Sequence, residues 1–164
     1  MRRSRRDDLF TEYVTQRHRH LLRTAYLICG DRHLAQDLVQ STLVKLYTAW
    51  PRVSRADNVD AYVRRILVNS HHDELRRPWR RERAVADPAL GPSPEGLDAS
   101  ETDELLTALR GLPEGQRLVV VLRHYWGLSV EETAGDLGVT TGTVKSQTSR
   151  ALAALAQALQ PLPD

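Results

Sequence analysis

Cysteine is nearly absent from this 164-residue chain: Cys29 stands alone, so no disulfide within the chain holds it together. Beside Leu27 and Ile28 its thiol reads as a small buried residue, not a nucleophile or a metal ligand. Long apolar runs are missing as well, and none approaches the ~20 residues that a bilayer span takes. The basic start MRRSRRDD leads into acidic residues, not into the apolar core of an export signal. These absences point to a cytoplasmic protein without membrane insertion. No Gly-rich phosphate loop, internal repeat or strand-rich segment occurs. The six histidines include adjacent His71 and His72, near Asp73 and Glu74, which face different directions on a helix. His18, His20, His33 and His124 add no pair four residues apart with a glutamate base, and His20 lies too far from Glu12 to work with it. No metal, no cofactor and no catalytic residue is expected, which disfavours an enzyme.

What the chain does have is 41% hydrophobic content, enough for folded cores in one ordinary domain or two small ones. The net charge of +2 hides an asymmetry. Residues 1–83 carry 18 Lys or Arg against 10 Asp or Glu, residues 84–114 carry one against seven, and residues 115–164 carry four of each. A basic first part, an acidic connector and a near-neutral last part suit two nucleic-acid contacts separated by a spacer that avoids phosphates.

The segment SVEETAGDLGVTTGTVKS, residues 129–146, has the spacing of a helix-turn-helix. Ala134 falls where two crossing helices approach, and Gly138 falls where the chain leaves the first helix, a site that favours a left-handed backbone. Ser129 with Glu132 makes a capping box, and Thr140 or Thr141 caps the second helix. Leu137, Val139 and Val144 are expected to close the wedge. The second helix should run over 141–159 and offer Thr141, Thr143, Lys145, Ser146, Ser149 and Arg150, hydroxyls and cations that reach phosphates and base edges in a major groove. Its later part, ALAALAQAL, reads as packing surface. A plain helical hairpin with a polar outer face is the alternative, disfavoured because the small, glycine and apolar positions all agree.

Upstream, periodicity predicts a helix over 8–29 with Leu9, Tyr13, Leu21, Ala25 and Ile28 along one stripe. A second is expected over 33–50, with Leu34, Leu38, Thr42 and Leu46 on one face, Asp37, Gln40 and Ser41 left on others, and Pro51 as its stop. A third is expected over 59–77, with Ala61, Tyr62, Ile66 and Leu67 recurring at helical period while Arg64, Arg65, Arg76 and Arg77 remain outside. In RRPWRRER, Trp79 among cations is able to stack on an unpaired base; a ring tucked against the domain is the preferred reading. Residues 84–100, with three prolines and two glycines, mark a flexible boundary. Helices resume near 101, then again after Pro113, with Gly127 as a stop; Val119, Val120 and Val121 are β-branched yet sit between well-capped helices. The fold class is all-α, with three N-terminal helices and four C-terminal ones in two small domains, 1–83 and 101–164, joined by an acidic linker over 84–100.

This order of DLVQSTLVKLYTAW and AYVRRILVNS, an acidic linker, then LRGLPEGQRLVVVLRHYWGLSVEETAGDLGVTTGTVKSQTSRALAAL resembles the extracytoplasmic function (ECF) sigma factors of bacterial RNA polymerase. It resembles above all the compact SigE-like members found in actinobacteria. The likeness covers nearly the whole chain. It implies an initiation subunit whose partners are core RNA polymerase and promoter DNA, with an anti-sigma factor as a further possible partner. By the same resemblance the helix from Asp37 to Trp50 docks on the clamp coiled coil of the largest catalytic subunit, through Asp37, Gln40, Ser41, Leu43 and Val44. Residues 1–83 correspond to sigma region 2, in which the loop over 54–60 and the following helix open the −10 element. Ser54, Arg55, Asn58, Asp60, Arg64, Arg65, Arg76 and Arg77 are the implied DNA contacts there. Asn69 matches a position that helps hold a flipped-out base, a role an amide suits because it both donates and accepts; by itself it reads as a helix-capping or interhelical bond. Residues 101–164 correspond to region 4, whose helix-turn-helix reads the −35 element while its outer helices bind the polymerase flap.

Gln147 departs from the family, which commonly has a basic residue after the Lys-Ser pair. The departure is expected to remove a phosphate or guanine contact and to shift weight onto Lys145 and Arg150. The competing function is a free-standing helix-turn-helix regulator acting as a dimer, which would not require the basic N-terminal part.

Overall fold

The computed structural model describes residues 2–77 and 99–160, and all regular structure among them is helical. The helices are α1 (Arg2–Cys29), α2 (Arg32–Val53), α3 (Val59–Leu75), α4 (Ala99–Arg110), α5 (Glu114–Val120), α6 (Val130–Leu137) and α7 (Thr141–Ala158). The chain divides into two units. One holds α1 as far as Ala25 together with α2 and α3; the other holds α4 to α7 together with residues 26–30, the last turn of α1 and the glycine after it. Of the boundary expected over 84–100, residues 84–98 lie outside the described residues, as do Trp79, Arg80 and Arg81, whereas 99 and 100 already belong to α4.

In the first unit α2 packs on α3; Ala35, Leu38, Val39, Leu46, Trp50 and Val53 of α2 are buried, as are Val63, Leu67 and Val68 of α3 and Leu21 and Ala25 of α1. Thr42 is also buried, and its hydroxyl donates to the Leu38 carbonyl at 2.8 Å, so a polar group enters the core already satisfied. Asp31 caps α2 by accepting from the Leu34 N–H, and Asn58 caps α3 by accepting from the Ala61 N–H.

Several expectations fail here for one reason: tertiary contacts outvote local signals. α1 begins well before residue 8 because Arg6 and Asp7 have work to do. Arg6 donates to the Tyr47 carbonyl at 3.1 Å and lies over the Tyr47 ring, while the Tyr47 hydroxyl donates to Asp7 at 2.9 Å. Pro51 does not stop α2, which continues to Val53. A proline lacks the N–H that would satisfy the carbonyl four residues back, and that carbonyl is Tyr47, the one Arg6 serves. Leu9 is 47% exposed and not on the packed stripe; Phe10 takes its place, edge-on to Tyr47 and Trp50. On α3 the register differs from expectation: Val63, Leu67, Val68 and His71 face inward with Arg64, which is 4% exposed, while Tyr62 is 43% exposed.

The second unit follows its local signals closely. The Ser129–Glu132 capping box is fully formed. Gly138 is left-handed at φ +66°, and the Val139 N–H reaches back to the Ala134 carbonyl at 3.1 Å, a Schellman-type closure. Thr140 caps α7 by accepting from the Thr143 N–H. Ala134 packs with Val119 and Val144, flanked by Val130 and Leu137. Val139, 39% exposed, does not close the wedge, because the left-handed turn at Gly138 carries it outward. The valines at 119–121 are helical, and from Val121 to Tyr125 the chain widens to a π turn in which the Trp126 N–H donates to the Val121 carbonyl. The end of α7 differs from the packing surface expected: Ala151 is buried, but Leu152 and Leu159 are exposed.

Candidate nucleic-acid interfaces

The sharpest polar surface in the second unit lies on α7. Thr141, Thr143, Lys145, Ser146, Ser149 and Arg150 are all exposed, and Val144 and Ala151 hold the opposite side of the helix in the core. At ~100° per residue the six occupy roughly 200° of the circumference, centred away from Val144. Their hydroxyls are partly pre-oriented. Thr143 shares a hydrogen bond with Thr140 at 3.0 Å, and Ser146 donates to the Thr143 carbonyl at 3.1 Å. Lys145 and Arg150 supply the cations of this face, with hydroxyls on either side of each.

Gln147 is not on that face. It is half-buried, and a side chain at Gly115 of α5 would come within 3.4 Å of its amide nitrogen. On α7 this position points toward α5, where Gly115 makes room for it, so Gln147 adds no group to the exposed face.

In the first unit, residues 54–58 connect α2 to α3. The loop is held at its start by the Ser54 N–H on the Trp50 carbonyl and the Ala56 N–H on the Val53 carbonyl. Beyond it lies a concavity of about 460 Å³ lined by Arg55, Ala56, Asp57, Asn58, Ala61, Tyr62 and Arg65. Cations, an amide, a carboxylate and an aromatic ring thus converge on a space large enough for a planar heterocycle. Of the expected −10 set, Arg55, Asn58 and Arg65 meet here. Ser54 is exposed at the loop's start, and Asn69 is exposed one helical turn beyond Arg65, on the stripe 62, 65, 69; neither lines the concavity. Arg76 and Arg77 are exposed past the end of α3. Arg64 is corrected: burial keeps it off the surface a strand reaches.

Asp60 is committed within the protein. Its two oxygens accept from the Tyr13 hydroxyl at 2.6 Å and from Arg17 at 2.7 Å. Burial, and then the bond to Asp60, push the Tyr13 hydroxyl above its ordinary pKa, so it stays a donor. Burial and the nearby Arg17 hold His20 below the usual imidazole range. Tyr62, which periodicity places on the inward stripe of α3, lines the concavity instead. Its spacing of three from Arg65 and seven from Asn69 was the available signal.

A third surface runs along α2. Asp37, Gln40 and Val44 share one exposed stripe, with Val44 at 66% exposure and half-buried Ser41 and Leu43 beside it. Among the described residues, no group of three or more His, Cys, Asp and Glu gathers to hold a metal, and no helix is long and apolar enough to cross a membrane.

Comparison with known proteins gives a consistent result. The Sigma-70 region 2 family matches residues 13–81, and the Sigma-70 region 4 family matches residues 102–155. The RNA polymerase sigma-E factor of Streptomyces avermitilis is 38% identical over 157 residues, covering 92% of this chain and 85% of the relative. The ECF RNA polymerase sigma factor SigM of Mycobacterium tuberculosis is 31% identical, covering 92% of this chain and 76% of the relative. Among solved structures, the sigma factor RpoE of Bartonella quintana, in complex with the anti-sigma factor NepR, superposes with a TM-score of 0.76 at 27% identity, over 92% of this chain and 96% of that one.

Proposed function

Because the chain belongs to the ECF sigma factors of RNA polymerase, we propose that its two exposed polar surfaces divide the work of promoter recognition, one reading duplex and the other capturing an opened strand. Like its family it is a non-enzymatic initiation factor that binds core RNA polymerase and directs transcription initiation. The α7 face from Thr141 to Arg150 reads the −35 element in the major groove. Arg55, Asn58, Tyr62 and Arg65 receive a base flipped from the −10 element, with Ser54, Asn69, Arg76 and Arg77 along the strand's path. Unstacking costs a few kcal/mol, which ring stacking and phosphate contacts offset.

Residues 1–83 and 99–164 act as the two functional domains, with the acidic segment 84–98 as the tether. The stripe of Asp37, Gln40 and Val44, with Ser41 and Leu43, docks on the clamp coiled coil, and the outer helices of the second unit dock on the flap. The protein works in the cytoplasm, where an anti-sigma factor restrains it, as NepR accompanies the Bartonella relative. The observation that carries the reading is the convergence of Arg55, Asn58, Tyr62 and Arg65 on one concavity beside a capped helix. A free-standing regulator would leave that concavity without a task.

The test is run-off transcription with core enzyme on genomic fragments, followed by Asn69→Ala on an active promoter. Specific transcripts that depend on the added chain, and slower strand opening with core association intact for the variant, are expected. No transcript and no association with core would overturn the reading; lost association in the variant alone would make Asn69 structural.

A further inference from the structure

Tyr13 touches both flanks of the loop that borders the concavity. Its ring packs on Trp50, in the last turns of α2, at 5.5 Å between centroids, and its hydroxyl donates to Asp60, in the first turn of α3, at 2.6 Å. One turn further along α1, Arg17 takes the second oxygen of the same carboxylate at 2.7 Å. With both oxygens held from one helix, the carboxylate cannot swing, and the turn that carries it is pinned. That turn starts at Asn58 and runs into Ala61 and Tyr62, three residues that line the concavity. The exposed ion pair alone would contribute little, but a phenol on a half-buried carboxylate is a short, charge-assisted bond.

We propose that Tyr13 and Arg17 are positioning residues for promoter opening: through Asp60 and Trp50 they hold the 54–58 loop and the start of α3 in the shape that receives a displaced base. Neither residue lines the concavity, so neither touches the base itself. A loop held open beforehand spends no binding energy on ordering when the strand arrives. The proposal rests on the sigma-factor reading of the concavity.

The experiment measures the opening of −10 thymines by permanganate reactivity, using holoenzyme assembled from core polymerase and the full chain on a promoter found by run-off transcription. Tyr13→Phe keeps the ring on Trp50 and removes only the donor; Arg17→Gln keeps the length and removes the charge. Each variant should slow opening by roughly three- to tenfold per core-bound molecule, with core affinity and −35 duplex binding unchanged. The double variant should lose less than the product of the two, because both act on one carboxylate. Opening at the wild-type rate by both single variants overturns the proposal. So does a defect of equal size in core affinity, which marks a general loss of fold. If wild-type holoenzyme opens no promoter, the sigma-factor reading of the concavity falls first and this proposal with it.

Discussion

The two units reach an exposed nucleic-acid surface by opposite routes. In the helix-turn-helix, each boundary is set by a residue at or beside it: Ser129 and Glu132 begin α6, Gly138 ends it, and Thr140 begins α7. In the first unit the decisive groups lie more than forty residues away in sequence. Arg6 serves the carbonyl that Pro51 leaves unpaired within α2, and Tyr13 and Arg17 fix the Asp60 carboxylate in the first turn of α3, a helix whose start Asn58 caps locally. A surface built from local signals presents a regular helix face suited to the regular groove of a duplex. The one assembled from distant contacts presents an irregular hollow, suited to a single displaced base.

The comparison breaks first at the core. Leu67→Ala, at a fully buried position, should cost ~2–5 kcal/mol of unfolding free energy, measured by denaturant titration; a cost near that of a surface change would mean that the α2–α3 core is not what holds the hollow. Next, Arg150→Ala should weaken −35 duplex binding by ~1–3 kcal/mol and flatten its salt dependence, whereas Gln147→Ala should leave both unchanged in the same anisotropy assay. Equal losses for the two would return Gln147 to the DNA face.

Gly138→Ala meets no neighbour within 4 Å, so its whole cost is the left-handed backbone, ~1–2 kcal/mol in thermal unfolding. A neutral result would show that the turn is less constrained than its φ of +66° requires. Smallest is the coupling between Arg6→Ala and Pro51→Ala in a double-mutant cycle, expected at ~0.5–1.5 kcal/mol. With Pro51 replaced, the backbone N–H serves the Tyr47 carbonyl and Arg6 matters less; strict additivity would separate the two residues.

Legibility follows the same division. The helix-turn-helix, its caps and all six exposed residues of α7 were readable because capping and helical period act within a few residues. Arg64 and Tyr62 were exchanged between core and surface because α3 carries apolar residues on more than one side, and only the packing against α2 chooses among them. Leu9 and Phe10 were misjudged for the same cause, since adjacent apolar residues leave the register of α1 open until Tyr47 and Trp50 meet the phenylalanine.

The chain by itself determined the helical class, the helix-turn-helix with its stops and starts, and the charge division, all consequences of interactions between near neighbours. Tertiary structure decided that Pro51 stays inside a helix, that Asp60 faces Tyr13 and Arg17, and that Gln147 turns toward Gly115. Those outcomes rest on partners distant in sequence, whose meeting depends on how whole helices pack and not on any short window of residues.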